Sequence, residues 1–240
     1  MSQIVAASPH VTTKNSTAVI MRDVLIALCP ALIAGCVVFG LRALLVVAVT
    51  TAACIFFEWG YEKLCGKPST ICDLSAAVTG VLLAMNLPVS IPLWQAVFGA
   101  LVAMVAVKGL FGGIGKNFAN PAITARIVMF LAFSKSMTAW VFPDAVSSAT
   151  PLAMMANGES VDYLTLLLCN HGGCLGETSA LALLIGFAYL LIRGVISWHT
   201  PVCFVGTVFV MSLILGQDAV GQILSGGLML GAIFMATDYS

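Results

Sequence analysis

Apolar runs of about membrane-span length follow one another from residue 24 to residue 237, and a water-soluble core could not bury them all. They lie at residues 24–40, 43–60, 74–87, 93–110, 121–134, 179–193, 200–216 and 222–237. A helical span takes ~20 residues, because each rises 1.5 Å through a hydrocarbon layer roughly 30 Å thick. Charge agrees with this reading: 8% of residues are charged and 60% hydrophobic, where soluble domains carry about 25% charge. The runs are continuous rather than alternating, which excludes a membrane barrel and leaves helices that satisfy their own backbone. The expectation is an all-α polytopic membrane protein with eight transmembrane helices, a single membrane domain over residues 22–240 and a short N-terminal tail at 1–21.

Basic residues set the orientation, since cytoplasmic loops retain Lys and Arg. With the N-terminus inside, Lys14, Arg22, Lys63, Lys67, Lys108, Lys116, Arg126 and Arg193 fall at cytoplasmic ends, and only Arg42 and Lys135 fall outside. The polar stretch at 135–178 is then extracytoplasmic. Ile33-Ala34-Gly35-Cys36 imitates a lipoprotein cleavage site, but seven further runs make the first one an anchor. Eight cysteines without a CxxC pair give neither a zinc site nor a disulfide framework. Cys169 and Cys174 form the one tempting pair, with packing the simpler use. Zero net charge and no basic patch argue against nucleic acid.

Two runs are short and broken. Gly80–Asn86 stops before Leu87-Pro88, and Gly231–Thr237 ends in the same way on a polar group at membrane depth. Such pairs mark inverted repeats around a central site. If the third helix matches the eighth, the unit has five helices and the arrangement expects two more beyond Ser240. Between the fourth and fifth runs, Lys108–Asn120 forms a glycine-rich cytoplasmic turn, and Pro121 starts the next helix. The turn is not a Walker loop, because Lys116 is followed by Asn117. A tight connection and a ligand-cradling loop explain it equally well.

The outer stretch reads Asp144-Ala145-Val146-Ser147-Ser148-Ala149-Thr150, which as plain chemistry is a solvated turn. It also matches D-x-x-[ST]-[GSA]-A-T, the pattern at which a membrane-associated flavin transferase joins FMN to the final threonine. With Lys116-Asn117-Phe118-Ala119-Asn120-Pro121-Ala122, Asp73–Gly80, Gly176–Ala180 and Met235–Ser240, the whole chain resembles one family. Its members are the D subunits of Rnf-type ferredoxin:NAD oxidoreductase complexes and, more distantly, the B subunits of sodium-pumping NADH:quinone reductases.

The resemblance implies a ten-helix fold of two five-helix inverted repeats in a prokaryotic cytoplasmic membrane. It implies covalent FMN on Thr150 as a phosphoester, with Asp144, Ser147 and Ser148 recognised by the transferase, and in relatives a second, noncovalent riboflavin. Partners would be the other subunits of such a complex, one of them also covalently flavinylated, with lipid around them. The chain would be a subunit of a redox-driven translocase of sodium or protons, with no catalytic residue and no metal of its own.

Glu177, Thr178 and Ser179 open the sixth run, where N–H groups suit flavin or phosphate oxygens and capping is the simpler role. Asn120 is a further candidate, for riboflavin. Trp140 and Phe142 suit ring stacking or interfacial anchoring equally. Arg22, Asp23, Glu58, Glu62, Asp73, Arg126 and Asp238 are read at span ends, so no ion relay is legible; Asp23 with Arg126 is the pair to watch. No G-x-G-x-x-G follows a strand, so NAD has no site on this chain. The rivals are a transporter or channel without a redox cofactor, suggested by the broken helices and Asn86, and a structural scaffold for redox partners.

Overall fold

Ser16 accepts the N–H of Val19 and so starts the first helix earlier than hydropathy alone suggests, within the expected tail. The computed structural model describes residues 16–67, 69–117, 119–140, 150–157, 162–168, 172–177 and 179–238. α1 (Thr17–Phe39) contains Pro30, and Gly40 at φ +70° turns the chain directly into α2 (Leu41–Leu64). Left-handed backbone at a one-residue link favours glycine. Among the described residues these two are the helices long and apolar enough to cross a membrane, and five further apolar helices are shorter. Among the described residues the regular elements are all helical.

α3 (Ser75–Met85) is buried along nearly its whole length, with Leu82, Leu83 and Met85 at the centre of the main core. A helix apolar all round belongs inside a bundle. At 11 residues it is about 16 Å long, roughly half a span. Pro88, two residues beyond Asn86, prevents it from continuing. α4 (Leu93–Leu101) runs on as a π-helix over Val102–Gly109, and α5 (Pro121–Ala132) begins with Asn120 capping the Ala122 and Ile123 N–H groups.

Among the described residues, the short helices α6 (Ser134–Met137), α7 (Pro151–Ala156) and α8 (Tyr163–Leu168) and a 3-10 turn at Leu175–Glu177 follow. Then come α9 (Ala180–Ile192) and α10 (His199–Ile214). The eighth run, read as unbroken from residue 222 up to its polar end at Thr237, is interrupted earlier: α11 (Ala219–Leu224) stops at Ser225 in extended backbone and Gly226 at φ +69°. α12 (Leu228–Leu230) then leads into a π-turn at Gly231–Met235.

Glycines let the helices meet closely. A Cβ on Gly80 of α3 would lie 2.6 Å from the Thr51 Cα of α2, and one on Gly186 of α9 would collide with the Ala27 carbonyl of α1. Small residues at such crossings are how helices pack where lipid leaves little hydrophobic drive between them. Large apolar side chains meanwhile stay exposed on α1, α2 and α10, among them Val37, Phe56, Leu213 and Ile214. So much exposed apolar surface suits lipid better than water.

Candidate functional site

Thr150 is the N-cap of α7. Its hydroxyl oxygen accepts the Ala153 N–H at 3.4 Å, and Pro151 occupies the first helical position, where no N–H is needed. Asp144, Ser147, Ser148 and Phe142 lie outside the described residues, as do Thr178 and Cys169. α7 and α8 dock on α11. Met155 fills the space over Gly221, Leu152 Cδ1 lies 3.0 Å from where a Gly226 Cβ would sit, and Tyr163 donates to Asp218 Oδ2 at 2.9 Å. That hydrogen bond pushes the Tyr163 phenol up from its ordinary value, because the neutral form is the donor.

The same glycine break carries a second set of polar groups. A Cβ on Gly227 would lie 3.3 Å from both Arg126 Nη1 and Glu177 Oε1, so Thr150's helix and this cluster share one backbone turn. Arg126 Nη1 donates to Asn86 Oδ1 at 2.9 Å, and Nη2 lies 3.5 Å from Glu177 Oε1 and 3.5 Å from Cys174 Sγ. The Cys174 thiol donates to the Asn86 carbonyl at 3.3 Å, and the Cys174 N–H to Glu177 Oε2 at 3.3 Å. Asn86 Nδ2 donates to the Leu82 carbonyl and approaches Met235 Sδ at 3.7 Å, so the ends of the two broken segments meet. The cluster is a fixed cation braced by a carboxylate and an amide, with the Arg126 side chain 33% exposed.

Several sequence expectations change here. Arg126 is in the middle of α5, not at a span end, and its partners are Asn86 and Glu177. Asp23 pairs instead with Arg193, at 2.9 and 3.1 Å, with the Tyr189 hydroxyl at 3.3 Å. Glu58 and Lys108 are buried and bonded to each other, and Lys108 also donates to Ser75 Oγ at 2.6 Å. A span's end in sequence is thus not its exposed end in the bundle.

Glu177 is occupied by Arg126 and the Cys174 N–H, and it is Ser179 that caps α9. Asn120 caps α5 while its Nδ2 donates to Asp238 at 3.0 Å. Near it, both side-chain polar atoms of Asn117 are buried without a partner. No periodicity marks Asn117; an amide beside the glycine turn is the available signal.

The model of the NQR2, RnfD, RnfE family matches residues 4–240. The D subunit of the Na(+)-translocating ferredoxin:NAD(+) oxidoreductase complex of Acetobacterium woodii is 46% identical over 244 residues, covering 98% of this chain and 77% of that protein. The D subunit of the proton-translocating ferredoxin:NAD(+) oxidoreductase complex of Clostridium ljungdahlii is 35% identical, over 98% of this chain and 78% of the relative. The D subunit of the ion-translocating oxidoreductase complex of Halorhodospira halophila is 34% identical, over 99% and 79%.

Proposed function

The chain belongs to the NQR2, RnfD, RnfE family, as a subunit of an ion-translocating ferredoxin:NAD oxidoreductase complex, and we propose that it carries electrons there on FMN esterified to Thr150. The observation that carries this reading is the combination of the D-x-x-S-S-A-T pattern with its threonine at the start of an ordered turn. A cap needs only the oxygen of Thr150 as acceptor, so the hydroxyl proton is dispensable and an ester at that oxygen keeps the bond to the Ala153 N–H.

FMN, when attached, supplies one-electron and two-electron redox chemistry, and the tether makes it a fixed carrier rather than a diffusing one. This chain's own residues hold and orient it. Met155 and Leu152 seat the attachment helix on α11, and Arg126, braced by Glu177 and Asn86 at the neighbouring glycine break, offers positive charge on the same turn. Asp144, Ser147 and Ser148 serve the transferase, and Thr178 lies in the same outer segment.

A second, noncovalent flavin, riboflavin, fits the cytoplasmic glycine turn. The orphaned amide of Asn117 suits a ring with donors and acceptors along one edge, and Asn120 braces the turn beside it. Eight spans, the N-terminus and residues 1–21 inside, residues 135–178 outside and a two-times-five inverted repeat complete the reading, supported by the basic-residue bias and by the meeting of the two broken segments at Asn86 and Met235. The partners are the other subunits, one of them flavinylated too. The relatives' names include both a sodium and a proton translocator, so similarity alone does not choose the ion.

The test is intact mass and in-gel fluorescence of the denatured protein, produced with and without the flavin transferase, for wild type and Thr150→Val. One added FMN phosphoryl mass with fluorescence, both lost in the variant, is the expected result. An unmodified, dark protein, with the transferase active on a control substrate, would remove the flavin and leave the cofactor-free transporter as the better account.

A further inference from the structure

Glu58 and Glu62 stand one turn apart on the same face of α2 and are 5% and 7% exposed. Glu58 Oε1 accepts from the Lys108 ammonium. Glu62 Oε1 accepts the N–H of Thr70 at 3.0 Å and also its hydroxyl. The second oxygen of each carboxylate, Oε2, is buried and has no hydrogen-bond partner. Both glutamates line a cavity of about 400 Å³ between α2, the π-stretch that follows α4 and the glycine turn. Lys67 and Gly112 in the same lining are exposed, so the cavity opens to the surface beside them.

Two buried acceptors in the wall of one open cavity call for a donor that carries charge. The described lining holds three carboxylates, of Glu58, Glu62 and Asp73, against two ammoniums, of Lys67 and Lys108, so one further positive charge balances it. The arginines of this chain are placed elsewhere. Arg42 donates to the Val89 and Ile91 carbonyls, Arg126 is held by Asn86 and Glu177, Arg193 by Asp23, and Arg22 is on α1, outside the lining. Lys63 is drawn over the Trp59 ring, 4.9 Å from its centre.

Geometry selects the kind of cation. Two carboxylates at i and i+4, each with one unused oxygen, suit a planar fork of N–H donors, which a guanidinium has and an ammonium lacks. A guanidinium also keeps its charge when buried, whereas a buried ammonium gives up its proton readily. Size agrees, because about 400 Å³ has room for a long side chain with its stem.

We propose that this cavity is a socket for one arginine side chain of a neighbouring subunit, whose guanidinium bridges Glu58 Oε2 and Glu62 Oε2. Lys108 and Thr70 are the positioning residues: each occupies the other oxygen of one glutamate and leaves Oε2 to the incoming group. That neighbouring subunits exist rests on membership of the complex, and entry from the cytoplasmic side rests on the orientation proposed above. Neither Asn117 nor Asn120 is in the lining, so the socket does not depend on the riboflavin reading.

The experiment uses the complex purified from membranes. A benzophenone amino acid is placed at exposed Lys116, whose Cδ lies 3.1 Å from where a Gly112 Cβ would sit, beside the opening. Irradiation is expected to join this chain to an arginine-bearing peptide of another subunit, identified by mass spectrometry. Phenylglyoxal, which modifies accessible guanidinium groups, is the second readout. The cross-linked arginine is expected to be shielded in the wild type and to label at least tenfold faster in Glu62→Gln, while other arginines of that subunit keep their rates. Cross-links to lipid or within this chain alone, or to a peptide with lysine and no arginine, would overturn the socket. Equal labelling of that arginine in the two complexes would overturn it as well. If Glu62→Gln does not assemble, the cross-link decides alone. Covalent FMN is scored separately by the mass of this chain, so failure of either reading leaves the other standing.

Discussion

Removing the ammonium of Lys108 tests the buried pair directly. Its side chain and that of Glu58 are each 6% exposed, so neither charge has water to fall back on. Lys108→Met keeps the stem and deletes the charge. Glu58 Oε1 then loses its cation, Ser75 Oγ loses its donor, and two carboxylates one turn apart repel each other without a counter-ion. Breaking one side of a buried pair costs about 3–5 kcal/mol. Combining Lys108→Met with Glu58→Gln removes both charges, and most of that loss should return, giving a coupling energy of at least ~2 kcal/mol in the double-mutant cycle. Unfolding in detergent, followed by tryptophan fluorescence against denaturant, reads all four proteins. A single-variant cost below ~1 kcal/mol, or a double variant equal to the sum of the two singles, would refute the claim that these charges are paired and desolvated.

Two further outcomes follow from the packing and the outer segment. Gly186→Ala should destabilise by ~1–3 kcal/mol, because its Cβ would collide with the Ala27 carbonyl, whereas Gly206→Ala, with open space around it, should be neutral or stabilised by up to ~1 kcal/mol in the same unfolding assay. The Tyr163 phenol, raised by its hydrogen bond to Asp218, should titrate above its ordinary value of 10.0 in phenolate absorbance, and Asp218→Asn should bring it back down. Since the folded value is the higher one, this contact's contribution is full below the unfolded value and is lost as pH rises through the folded one.

Helix ends are legible in the sequence wherever a side chain or a proline sets them. Pro92 precedes α4, Asn120-Pro121 opens α5 and Ser179 caps α9, and each observed start falls within a residue of the apolar run read from the sequence. Two boundaries escape for the same reason: hydropathy averages over residues whose backbone decides the outcome. Ser16 has an oxygen that can accept the Val19 N–H, so α1 starts well before its apolar run does. Ser225-Gly226-Gly227 counts as apolar enough to continue the last run, yet a left-handed Gly226 ends α11 there.

The buried charges are harder to read, because their partners are remote in sequence and pairing is what makes their burial tolerable. Lys108 reaches Glu58 across 50 positions and Arg126 reaches Asn86 across 40, distances over which no periodicity carries information. Sequence position also misleads, since α5 begins at Pro121 and so puts Arg126 in its middle, while the half-length α3 stops at Asn86, inside the bundle, where Arg126 can reach it. The motif at Thr150 is of the opposite kind: on the proposed reading it is a local string addressed to another protein, complete in sequence and carrying no packing signal of its own. A local string is thus legible before any fold is known, whereas a buried charge is legible only through the fold that pairs it; the two call for different evidence on the same chain.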